Sequence, residues 1–84
     1  MRTKWCRVQI LKNGRSDWPY EYAVVAGKVS GILGGHTADY RTDARGFATI
    51  EWYGGDHLDK IYVSGQTFDG PFEEGETYQL PYKV

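Results

Sequence analysis

At 84 residues, 40% of them hydrophobic and 25% charged, the chain has the apolar content of a globular protein and the length of a single domain spanning residues 1–84; a chain this short buries roughly 60–65% of its unfolded surface, too little for two cores. No apolar run approaches the ~20 residues that a membrane span requires, and Met1-Arg2-Thr3-Lys4-Trp5 leads into alternating residues instead of an apolar signal core, so no membrane role and a cytoplasmic location are expected. The net charge of −1 divides unevenly: Arg2, Lys4, Arg7, Lys12 and Arg15 are the only charges before Asp17, and the remaining five basic residues face all eleven acidic ones, a local balance of −6 that argues against nucleic acid as a partner.

Residues 4–12 alternate, with Cys6, Val8 and Ile10 on one face and Arg7 and Gln9 on the other, the period of a half-buried strand. Cys6 is the only cysteine, which excludes an internal disulfide and a cysteine-rich zinc cage; its phase predicts a small buried thiol. Asn13-Gly14 offers a left-handed turn. Trp18-Pro19-Tyr20 is expected to interrupt pairing, since proline donates no hydrogen bond to a ladder, before an extended run over residues 22–29. Gly27, Gly31, Gly34 and Gly35 exclude a helix there, each costing about 1 kcal/mol relative to alanine.

Thr42-Asp43-Ala44-Arg45-Gly46 is the sharpest local signal, because aspartate accepts a backbone N–H two residues on and glycine takes the positive φ that closes the turn; a hairpin is predicted. The following segment, residues 47–52, alternates with Ala48, Ile50 and Trp52 on one side and Phe47, Thr49 and Glu51 on the other. Gly54-Gly55-Asp56 ends it, residues 60–64 form a short strand with Ile61 and Val63 inward, and residues 77–80 close the chain with Tyr78 and Leu80 inward. Gly70-Pro71 and Glu73-Glu74-Gly75 are read as the bend between the last two. Strands at this spacing, without a helical period anywhere, indicate an all-β sandwich or barrel.

Thirteen of the 84 residues are aromatic, more than a core of this size absorbs. Trp5 and Phe47 are out of phase with the buried faces of their strands, and Trp18, Tyr20 and Tyr22 cluster at a proline. With Arg7 these form the candidate binding surface, because exposed tryptophan and tyrosine supply contact area with a polar handle. The basic segment Lys4–Lys12 is a candidate edge for strand addition, although edge lysines also guard against pairing.

Trp18-Pro19, Ala23-Val24-Val25, Thr42-Asp43-Ala44-Arg45-Gly46-Phe47-Ala48-Thr49-Ile50, Ile61-Tyr62-Val63-Ser64-Gly65 and Gly75 before the last strand together resemble the transthyretin-like, carboxypeptidase-regulatory-like (prealbumin-like) superfamily over residues 8–80. The resemblance implies a seven-stranded Greek-key, immunoglobulin-like sandwich with no substantial helix. It spans domains appended to carboxypeptidases, cell-surface and carbohydrate-binding modules, a hormone carrier and a hydrolase of 5-hydroxyisourate. The hydrolase branch relies on histidines, an arginine and a C-terminal Tyr-Arg-Gly-Ser signature, whereas this chain reads Leu80-Pro81-Tyr82-Lys83-Val84; no catalytic residue carries over.

Asp56-His57 with Asp59, and His36 with Asp39, are the clusters with metal-like chemistry, but a zinc site needs about three ligands in one cage, and the sequence does not require the two histidines to converge. No metal or cofactor is expected, and Ser30 and Ser64 lack a neighbouring base. The expectation is a non-enzymatic interaction domain for a protein partner, with a second copy of the chain as a further candidate. A carbohydrate-binding module, stacking sugar on Trp5, Trp18 or Trp52, is the alternative; a hydrolase or metal-dependent enzyme comes third.

Overall fold

The alternating segments become strands in the computed structural model, which describes residues 2–84. These are β1 (Lys4–Lys12), β2 (Val24–Val29), β3 (Tyr40–Arg41), β4 (Phe47–Trp52), β5 (His57–Val63), β6 (Gln66–Glu73) and β7 (Thr77–Tyr82), with no helix among the described residues. They form two sheets, ordered β4-β1-β7 and β3-β2-β5-β6. The chain changes sheet between β1 and β2, β3 and β4, β4 and β5, and β6 and β7, so the two layers are laced together from both ends.

The core lies between the layers and follows the alternation. Cys6, Val8 and Ile10 of β1, Ala48, Ile50 and Trp52 of β4 and Leu80 of β7 meet Val25 and Val29 of β2, Leu58, Ile61 and Val63 of β5 and Phe72 of β6. Tyr20, Tyr40, Phe68, Tyr78 and Tyr82 pack against this cluster, the four tyrosine hydroxyls staying within reach of polar partners. Tyr78 illustrates the arrangement: its ring meets Phe72 edge-on at 5.0 Å and its hydroxyl accepts the Glu73 N–H at 2.7 Å. Cys6 is fully buried, as its phase predicts, and burial pushes its thiol up to about 11.

Several expectations are corrected by tertiary pairing. The segment β1 is central, not an edge: β4 lies antiparallel on one side and β7 parallel on the other. Pro19 does not interrupt pairing. Lys12 N–H donates to Trp18 O and Tyr20 N–H to Ile10 O at 2.9 Å each, so residues 18–20 extend the sheet beyond the start of β4, and Pro19 sits between the two bonding residues where no N–H is needed. The strand that follows begins at Val24, because Tyr22 adopts φ 60°.

The turn at residues 42–46 has the local chemistry expected, with Asp43 Oδ1 accepting the Arg45 N–H at 2.9 Å and Gly46 at φ 83°. It is not a hairpin, however. Its flanking strands β3 and β4 belong to different sheets, and the turn is an arch across the sandwich. The bend assigned to Gly70-Pro71 is instead inside β6, a full strand paired with β5 through a Ser64-Gly65 turn with both φ values positive. Because β6 is an outer strand, it tolerates Pro71. Similarly, β5 starts at His57 instead of residue 60, absorbing Asp59 in an irregularity of its register, and β7 runs on to Tyr82.

Candidate binding surface

The outer face of the three-stranded sheet collects the out-of-phase residues. Trp5, Arg7, Gln9 and Leu11 of β1 run down its centre, with register partners Glu51, Thr49 and Phe47 on β4 and Thr77, Gln79 and Pro81 on β7. Leu11 is buried on this face, flanked by Pro81 and bridged to Pro19. Trp5 remains 44% exposed. The Arg7 guanidinium lies 4.0 Å from the centre of the Phe47 ring, a diagonal cross-strand pair in which the cation meets the electron-rich ring face. Trp5, Arg7, Thr49 and Glu51 line a shallow depression of about 480 Å³, with an indole wall, a cation, a hydroxyl and a carboxylate around it.

Polar contacts stiffen the lower half of this face. Gln79 Nε2 donates to Gln9 Oε1 at 3.1 Å, and Gln9 Nε2 donates to Arg45 O at 3.1 Å. Asp43 Oδ1 accepts the Phe47 N–H at 3.0 Å as well as that of Arg45, which fixes the entry into β4 and therefore the ring beneath Arg7. These backbone donors, with Arg7 and Arg45 adding positive potential, hold the Asp43 carboxyl below its ordinary range.

The open edges of this sheet are partly occupied by the chain itself. Gly46 O faces β1, where it accepts the Ile10 N–H at 2.8 Å, so by alternation Phe47, Thr49 and Glu51 turn their backbone groups outward. Asp43 engages Phe47 on both sides, through its side chain and its own N–H, and the Tyr40 hydroxyl spans the N–H and C=O of Glu51. On β7, Pro81 has no N–H, and the Gln66 amide side chain engages both backbone groups of Lys83. Strand addition that reaches Phe47, Glu51 or Lys83 therefore displaces existing bonds, whereas the outer face is open.

Trp18, Tyr20 and Tyr22 are not brought onto this face. Pro19 takes the outward position opposite Leu11, leaving Trp18 and Tyr20 on the inner side of the pleat at one end of the sandwich. There the Lys12 ammonium sits 5.3 Å from the Trp18 ring centre and 4.9 Å from that of Tyr20, and Tyr20 meets Tyr82 edge-on at 4.7 Å. Tyr22 projects separately from a loop clamped by buried Thr42, whose hydroxyl donates to Tyr20 O at 2.6 Å and accepts the Ala23 N–H at 2.8 Å. Trp52, named as a sugar platform, is 2% exposed, with its Nε1–H donated to Gly55 O, and belongs to the core.

The histidines take separate roles. His57 lies in β5, not in a loop, with Nε2 3.1 Å from Asp59 Oδ1, while the His36 ring is 5.7 Å from that of Tyr62. Among the described residues no group of three histidine, cysteine or acidic side chains is placed to hold a metal ion. A feature the periodicity did not reveal stands at the opposite end from Trp18: Ile32 and Leu33, fully exposed at the tip of the loop joining β2 and β3.

The fold and this face together define a small β-sandwich presenting an aromatic and cationic sheet surface. Comparison with family models, curated proteins and solved structures finds no match to the chain.

Proposed function

We propose that the domain is a non-enzymatic interaction module that binds a protein partner, as an accessory subunit, inhibitor or assembly component, through the outer face of the β4-β1-β7 sheet. The observation that carries this reading is the exposed Trp5 beside the Arg7–Phe47 stack. Tryptophan and arginine are the residue types enriched at energetic centres of protein interfaces. Here the stacked guanidinium is pre-oriented, which lowers the ordering cost of binding. The sheet-face mode is favoured over strand addition because side chains of the chain itself already engage the edge backbone at Phe47, Glu51 and Lys83. The prealbumin-like, Greek-key reading of the fold belongs to the same proposal, supported by the repeated crossing between two layers.

The test is affinity capture from the native host with three forms of the domain. Trp5→Ala and Arg7→Glu are expected to lose the captured partner, each by roughly 30-fold or more in affinity for an interface centre worth about 2 kcal/mol or above. Trp18→Ala, on the other side of the pleat, is expected to retain it. Equal capture by all forms would remove this face from consideration.

The depression beside Trp5 favours one alternative, a carbohydrate-binding module, since an indole with a flanking hydroxyl and carboxylate suits a sugar ring. That reading requires a change in tryptophan fluorescence on adding polysaccharide, abolished in Trp5→Ala; a glycan array without hits eliminates it.

A further inference from the structure

The loop tip at Ile32 and Leu33 departs furthest from what a solvated surface requires. Both side chains are fully exposed, at 101% and 97%, and they occupy the two corner positions of a turn closed by Gly34 N–H donating to Gly31 O at 3.1 Å. Turn corners ordinarily take glycine, proline, asparagine, aspartate or serine. Here two large aliphatic side chains project side by side, and neither contributes to the core.

The base of the turn is fastened to the sandwich. Val29 N–H donates to Gly35 O at 2.8 Å, Ser30 N–H to His57 O at 2.9 Å, and His57 N–H to Ser30 Oγ at 3.2 Å. The half-exposed Tyr53, from the loop between β4 and β5, stands beside it, across a concave space of about 370 Å³ that Leu33 and Asp56 also line. The tip is thus a protruding apolar knob on a hydrogen-bonded stem.

Charge selects the occupant. The two loops that build the knob, residues 30–39 and 53–56, contain Asp39 and Asp56 and no lysine or arginine, and Lys28, bridged to His36, and Lys4, opposite Trp52, flank them. Glu73, opposite His57, and Glu74 and Glu76 of the adjoining turn lie at the same end of the sandwich, where Arg2 is paired with Glu74 at 2.8 Å, so carboxylates outnumber the cations Arg2, Lys4 and Lys28 there. An anionic lipid surface is repelled by this rim, since peripheral membrane loops rely on basic residues for attraction. Two copies meeting tip to tip would bring their carboxylates together.

We infer that the Ile32–Leu33 knob is a plug for a concave apolar socket, rimmed by lysine or arginine, on a different protein. This is a second surface, at the end of the sandwich instead of on its sheet face, and it does not depend on the reading of Trp5 and Arg7. Burial of each aliphatic side chain contributes an affinity factor of about 10- to 100-fold.

The experiment replaces Tyr53 with a photoreactive phenylalanine analogue, cross-links in extract of the native host, and maps the cross-linked partner peptide by mass spectrometry. The expected cross-link falls within an apolar pocket flanked by basic residues. Its yield drops at least tenfold in the Ile32→Ser/Leu33→Ser double variant and falls as salt rises, while Trp18→Ala, at the opposite end of the sandwich, leaves it unchanged. The double variant should melt like the parent, because both side chains are fully exposed and outside the core, so loss of yield cannot come from unfolding. Three results would overturn the inference: undiminished yield in the double variant or no cross-link to any other protein; a cross-link to a second copy; or tip-dependent co-sedimentation with phosphatidylcholine vesicles, with or without phosphatidylserine.

Discussion

Replacing Gly46 with alanine tests the join between the arch at residues 42–46 and the central strand. Gly46 has φ 83°, and a Cβ there would lie 2.5 Å from the carbonyl oxygen of Ile10 and 3.3 Å from the Pro19 Cβ. The left-handed backbone costs a side chain about 1–2 kcal/mol. The steric term adds to this: Ile10 O accepts the Tyr20 N–H at 2.9 Å, and Ile10 N–H donates to Gly46 O at 2.8 Å, so neither strand can yield without loosening one of these bonds. A weakened, partly buried hydrogen bond costs about 1–2 kcal/mol. The expected destabilisation is about 2–4 kcal/mol, or on the order of 10–25 °C in Tm for a domain of this size. Gly75→Ala serves as the reference, since Gly75 has φ 81° with no atom within 4 Å of its would-be Cβ, and should report the backbone strain alone. Both are measured by thermal and urea denaturation, with an unchanged urea slope marking a pure stability effect. If Gly46→Ala loses no more than Gly75→Ala, residues 18–20 do not extend the sheet beside Ile10.

Thr42→Val keeps the shape of the buried side chain but leaves Tyr20 O and Ala23 N–H without their partner, so a loss of about 2–4 kcal/mol is expected in urea denaturation, and a neutral result would refute the clamp. Native Cys6 should react with a thiol reagent only as fast as the domain opens, so prompt stoichiometric labelling at neutral pH contradicts its burial. The folded state holds the Cys6 proton more tightly than the unfolded chain, so its contribution to stability is full below its ordinary value of 9.0 and is lost as pH rises towards about 11; Cys6→Ala should flatten that part of the alkaline limb of a Tm profile. Asp43 is depressed in the folded state, so its contribution is present above the ordinary carboxylate range and is lost as pH falls through the lower folded value. Asp43→Asn should therefore narrow the difference in Tm between pH 5 and pH 2, and an unchanged profile refutes the carboxylate's hold on Arg45 and Phe47.

Period-2 alternation and turn chemistry are properties of neighbouring residues, which is why the buried faces of β1 and β4, the thiol at Cys6, the outward phase of Trp5 and Phe47 and the Asp43–Gly46 turn are legible in the sequence. Pairing is not a local property. Whether Lys4–Lys12 is an edge or a centre depends on what lies beside it, and the two neighbours, β4 and β7, come from parts of the chain dozens of residues away. The same dependence misleads at the prolines: Pro19 and Pro71 suggest breaks, yet each sits where its missing N–H is harmless.

For the candidate binding surface, the sequence alone determined that Trp5, Arg7 and Phe47 point away from the core. Only the tertiary structure decided that Arg7 and Phe47 stack, that Trp18 and Tyr20 fall on the other side of the pleat around Lys12, and that Ile32 and Leu33 stand free at the far end. The physical reason is that alternation assigns each side chain a face of its own strand, whereas register between strands, and the sheet to which each strand belongs, determine which faces coincide.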